Sequence, residues 1–113
     1  MAASRQLSLT WMLFIHADAG SIQIDKLIAE FGCVKEYAYV YHEPWAIKPH
    51  FHLYLELMDP RSTLQIKEKF NPLLAHPNVD KRPSVEYLLR DSAPEDVVAS
   101  FNVSKYVNKG GAV

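Results

Sequence analysis

Residues 50–57 read His-Phe-His-Leu-Tyr-Leu-Glu-Leu, an unbroken alternation. Successive side chains of a strand point to opposite faces. Phe51, Leu53, Leu55 and Leu57 therefore share one face, and His50, His52, Tyr54 and Glu56 share the other. This period fits a strand with an apolar layer against one side and two imidazoles on the opposite side. The rest of the chain has to supply the sheet and the layer.

Two more segments can join that sheet. Residues 6–15 put Leu7, Leu9, Trp11, Leu13 and Ile15 on one parity, and residues 34–42 form a strand stopped by Pro44. Between them Ile24, Leu27, Ile28 and Phe31 recur at helical spacing, with Ser21 placed to cap the start and Gly32 the end. Ser62 and Gln65 make a capping box for a helix running to about Phe70. Residues 78–82 suit a short strand. Ser84 then caps a helix beginning at Val85, with Val85, Leu88 and Leu89 as its apolar stripe and Tyr87 on the opposite side. A helical piece or irregular tail follows Pro94. The order β-α-β-β-α-β plus a C-terminal helix predicts an α+β, ferredoxin-like (RRM-like) antiparallel sheet. Its helices lie on one face, and the other face is open for the histidines. With 113 residues the chain is expected to be a single domain, 1–113.

Charge and cysteine content narrow the function. Twelve Lys and Arg against thirteen Asp and Glu leave a net charge of −1, which argues against bulk electrostatic binding to duplex DNA. Cys33 is the single cysteine, so an internal disulfide and a multi-cysteine zinc finger are excluded. No run approaches the ~18 apolar residues of a membrane helix, and no signal-peptide pattern opens the chain. An intracellular protein is expected, in cytoplasm or nucleus, without a membrane partner.

His50 and His52, two apart on one strand, can hold one divalent cation between them. The third ligand depends on the parity of the second strand. Tyr37, Tyr39, Tyr41 and Glu43 share one parity; Ala38, Val40 and His42 share the other. If Ala38 and Val40 face the helices, Glu43 emerges beside the histidine pair and is favoured over His42. Two imidazoles and a carboxylate suit Mg²⁺ or Mn²⁺ with open positions, and the ligand types also admit Zn²⁺. The bland alternatives stay open: two partly exposed strand histidines, and a surface tyrosine at position 87.

Pro49-His50-Phe51-His52-Leu53-Tyr54-Leu55-Glu56-Leu57 resembles the His-hydrophobe-His motif of rolling-circle replication initiators. Val85-Glu86-Tyr87-Leu88-Leu89-Arg90-Asp91 resembles their tyrosine motif, and Leu9-Thr10-Trp11-Met12-Leu13 stands in the place of their first motif. The resemblance implies a metal-dependent single-strand DNA endonuclease and strand-transferase. In that reading His50, His52 and Glu43 bind Mn²⁺ or Mg²⁺, and Tyr87 forms a 5′-phosphotyrosine link that releases a 3′-hydroxyl. The substrate is single-stranded or hairpin origin DNA, with Lys81, Arg82, Arg90, Lys105 and Lys109 as phosphate contacts. Arg90 stands where the family often has Lys, and Arg is bidentate and always charged. The chain has no G-x-x-x-x-G-K-[ST] motif, so a helicase would act in trans or through a further domain.

Three other readings compete. Tyr106, in Lys105-Tyr106-Val107-Asn108-Lys109, is a rival nucleophile. A non-catalytic RNA-recognition-type module would stack bases on Tyr39, Tyr41 and Tyr54. A structural metal site would use His42, His50, His52 and Cys33.

Overall fold

The computed structural model of the chain describes residues 7–18, 20, 22–42, 48–90 and 92–107. Its elements are β1 (Leu7–His16), α1 (Ile24–Phe31), β2 (Val34–His42), β3 (His50–Ser62), α2 (Thr63–Phe70), β4 (Leu74–Pro77), α3 (Lys81–Arg90) and β5 (Val98–Ala99). Two short 3₁₀ turns, Pro94–Asp96 and Val103–Tyr106, flank β5. All strand pairs are antiparallel, in the order β4-β1-β3-β2-β5. This is the expected α+β, ferredoxin-like sheet, extended by β5 beside β2. No described helix is long and apolar enough to cross a membrane.

One face is built as the alternation demands. Trp11, Leu13 and Ile15 of β1 and Phe51, Leu53, Leu55 and Leu57 of β3 are buried against Ile24 and Ile28 of α1 and Ile66 and Phe70 of α2. The Ser62–Gln65 capping box forms in both directions, and α2 stops at Asn71 in the left-handed region, φ 48°. Gly32 ends α1 at φ 81°, where a Cβ would be strained. Ser21, the expected cap of α1, lies outside the described residues; the helix begins after Gln23, whose side chain makes no capping bond.

The other face departs from expectation. α3 crosses it, burying Val85 and Leu88 on Ala38, Val40 and Tyr54. The fourth strand is Leu74–Pro77 rather than 78–82, and residues 81–82 belong to α3. Pro77 is tolerated because β4 is an edge strand. Nor does Ser84 cap a helix starting at Val85. Its N–H and its hydroxyl both donate to the Asp80 carbonyl, at 3.2 and 2.6 Å, one turn back at the residue that precedes α3. Pro83 fits in that first turn, where the backbone N–H it lacks would have no helical partner.

Candidate functional site

Register places the histidines. His42 and His16 lie opposite His50 on its two sides, and Val40 and Phe14 lie opposite His52. Directly paired residues share a face, so His16, His42, His50 and His52 all project from the α3 face. His42, His50 and His52 each offer a ligand atom, and these atoms lie within 4.8 Å of one another. The three could hold a metal ion. His50 and His52 are only 3% and 6% exposed, so a cation there would be largely shielded from water.

The expected parity of β2 is therefore reversed. Tyr37, Tyr39 and Tyr41 pack towards the α1 layer, and Tyr39 donates to Asp25 of α1 at 3.0 Å. The small residues Ala38 and Val40 turn the other way, where α3 packs directly on the strand. That turns His42 to the pair, against the ranking that favoured Glu43. Glu43 itself lies outside the described residues.

The surroundings orient the rings. His50 Nδ1 lies 2.9 Å from the Lys48 carbonyl, which can only accept, so Nδ1 carries the proton and Nε2 presents a lone pair. Phe14 stacks on His50 with centroids 4.7 Å apart and meets His52 edge-on at 4.9 Å. Ser92 Oγ, just beyond α3, lies 3.0 Å from His42 Nε2.

Tyr87 reaches this cluster. The stripe of Val85 and Leu88 seats α3 on the sheet, and Tyr87 projects along its flank. Its ring meets His52 edge-on, centroids 5.3 Å apart, while it remains 43% exposed. The Arg90 guanidinium lies 4.8 Å from the Tyr87 ring centroid, within cation–π range. A cleft of about 690 Å³ runs from His52 and Tyr87 between α3 and the β1–β4 edge, past Phe14, His76 and Asp80. Tyr106 lies elsewhere: it packs edge-on against Phe101 at 5.9 Å, and among the described residues no histidine ring contacts it.

The expected phosphate contacts divide. Arg82 and Lys105 are exposed, and Lys109 lies outside the described residues. Lys81 is turned inward: its ammonium bonds Glu36 and sits 4.2 Å above the Phe101 ring. The Lys81 hydrogen bond, opposed by burial and helped by the ammonium's charge, lowers the Glu36 pKa. Burial acts to lower the Lys81 pKa, but the hydrogen bond and charge of Glu36 more than offset it, and the value is raised. Lys81 thus pins the start of α3 to β2.

The base-stacking alternative loses its platform, because Tyr39 and Tyr41 pack with the α1 layer and Tyr54 is buried under α3. A structural site that includes Cys33 loses one ligand, since Cys33 is buried in the α1–α2 layer. His16 and Phe14 were missed by sequence reasoning. Their signal was available: counting back along an antiparallel β1–β3 pair brings them beside the histidines. The chain matches no protein-family model and no curated protein.

Proposed function

We propose that the chain is a metal-dependent, single-strand DNA nicking and joining enzyme of the replication-initiator kind, with Tyr87 as nucleophile. One observation carries the reading. Among the described residues, the tyrosine whose ring meets the histidine cluster, with a guanidinium over that ring, is the one the sequence motif singles out.

His42, His50 and His52 would hold the cation. Three imidazoles, two of them buried, fit a transition ion such as Mn²⁺ better than Mg²⁺, a hard cation that prefers oxygen ligands. Bound there, the cation would polarise a phosphodiester and neutralise charge growing on its oxygens. The chain's own groups do the rest. Val85 and Leu88 fix α3, and α3 fixes the direction of Tyr87. Tyr87 Oη gives up its proton to solvent water, which its exposure admits, and bonds to phosphorus. The P–O3′ bond breaks, its electron pair stays on the 3′ oxygen, and that oxygen takes up a proton. Arg90 stabilises the phenolate and offers N–H donors to the phosphate. The phosphotyrosine conserves the bond, so attack by a 3′-hydroxyl reverses the step and joins DNA.

The test is incubation with a random-sequence single-stranded oligonucleotide pool and Mn²⁺, followed by a denaturing gel. A covalent adduct is expected, lost with EDTA and in Tyr87→Phe. An adduct that persists in Tyr87→Phe and maps to Tyr106 would overturn the choice of nucleophile. No adduct from the wild type would overturn the function.

A further inference from the structure

Among the described residues, Tyr87 lines more than one depression. Besides the cleft on the sheet side, it borders a groove of about 430 Å³ on the outer flank of α3, walled by Arg90, Pro94 and Tyr106. The Tyr106 ring is held by Phe101 edge-on at 5.9 Å, and the Arg82 guanidinium lies 5.1 Å from its centroid. Among the described residues that line the groove, Arg90 and Glu86 are charged, and Arg82, over the Tyr106 ring, pairs with Glu86 at 3.6 Å. Neither Tyr106 nor this groove is used by the chemistry described above.

We propose that the outer groove binds the single strand on the 3′ side of the cut, the segment that stays joined to Tyr87 through its 5′ phosphate. One base stacks on Tyr106, and the backbone faces Arg82 and Arg90. This rests on Tyr87 being the nucleophile. In an in-line displacement the leaving 3′ oxygen departs opposite the attacking Oη. The released strand therefore points away from Tyr87, towards the histidines and the sheet-side cleft. The retained strand begins at Tyr87 and needs a surface continuous with it. The outer groove begins at that residue and carries both a ring for a base and guanidinium groups for phosphates. Tyr106 is thus a positioning residue, holding the covalently retained end so that a returning 3′-hydroxyl meets it in register.

The test uses an oligonucleotide recovered from the random pool by adduct formation, in two lengths. One ends two nucleotides 3′ of the cut and the other ten nucleotides 3′ of it. Affinity is measured by fluorescence anisotropy in the Tyr87→Phe protein, which cannot cut, with and without a second change at Tyr106. Tyr106→Leu, which keeps apolar volume without a π face, should weaken the long form roughly tenfold, the scale of one lost base stack. The short form should be unaffected. Tyr106→Phe should bind both forms like the parent, because stacking uses the ring. In the Tyr87 protein, Tyr106→Leu should slow rejoining more than cutting. An adduct-forming enzyme whose Tyr106→Leu change weakens both lengths equally, or neither, overturns this inference and leaves the nuclease reading standing. A wild type that forms no adduct overturns both.

Discussion

Tyr54 supplies a sharp test of the packing between α3 and the sheet. Its side chain is fully buried with Val85 and Leu88, yet its hydroxyl has no hydrogen-bond partner among the described residues. Burial, followed by the negative charges of Glu56 and Glu36, pushes the phenol's pKa well above its ordinary value, so the group stays neutral. A buried hydroxyl without a partner costs about 1–3 kcal/mol. Tyr54→Phe removes that oxygen and keeps the ring with all its apolar contacts. The change should therefore stabilise the fold by about 1–2 kcal/mol, whereas a typical substitution destabilises by about 1. For a domain of roughly 100 residues that is a rise in Tm of about 4 °C or more. Thermal unfolding, with urea unfolding at unchanged m-value, reads the effect. A loss of about 1 kcal/mol instead would show that the hydroxyl is bonded, with Glu36 or Glu56 as the nearest candidates, and would refute the argument.

The Glu36–Lys81 pair should shape the acid limb of stability. The lowered Glu36 pKa makes its contribution full above the unfolded carboxyl value of about 4.3 and lost as pH falls through the folded one. The raised Lys81 value makes its contribution full below about 10.4 and lost as pH rises through the folded one. Glu36→Gln should thus be less stable than the parent at pH 7, with the two urea curves converging as pH falls below 4; parallel curves would show that the pair contributes nothing. Mn²⁺ at a hundred times its Kd should stabilise the protein by about 2.7 kcal/mol. His42→Ala should lose most of that shift in Tm while staying folded without metal, and an unchanged shift would exclude His42 as a ligand.

The frame was readable because each of its signals is local. The alternation in β3 needs no partner to be recognised, and the capping box of α2 is spelled within four residues. The shared face of the histidine pair followed from the same alternation, whereas Tyr87 was singled out by the resemblance of its motif, its helical position alone reading as a surface tyrosine. The parity of β2 was not readable, since both of its faces are apolar: three tyrosines on one, Ala38 and Val40 on the other. Only the layers above decide, with Asp25 of α1 taking the Tyr39 hydroxyl and α3 requiring small residues beneath it. The start of α3 was misplaced because Pro83-Ser84 reads as a boundary, while a proline in the first turn is no obstacle. β4 was misplaced because Leu-Ala-His-Pro is four residues long and its pairing with β1 is a long-range event.

The strand order also has a kinetic side. β1 finds its central neighbour only in β3, across residues 17–49, and β3 then serves as the template for β2. Pairings this distant in sequence form slowly, and the β1–β4 and β2–β5 pairings, which span more residues still, add to the delay. The β1–β3 ladder has neighbours on both sides, whereas α3 is held to the sheet by its Val85 and Leu88 stripe, the Lys81–Glu36 pair and the Tyr87–His52 ring contact. Opening of α3 alone should cost less than melting the sheet. Amide hydrogen exchange would then find β3 the last to give up its protons and α3 well ahead of it. Equal protection in both would mean that the two move as one body. If they separate, the three histidines of β2 and β3 stay together while Tyr87 swings clear, and under the proposed nicking reaction a DNA end joined to Tyr87 would leave the site without the protein unfolding.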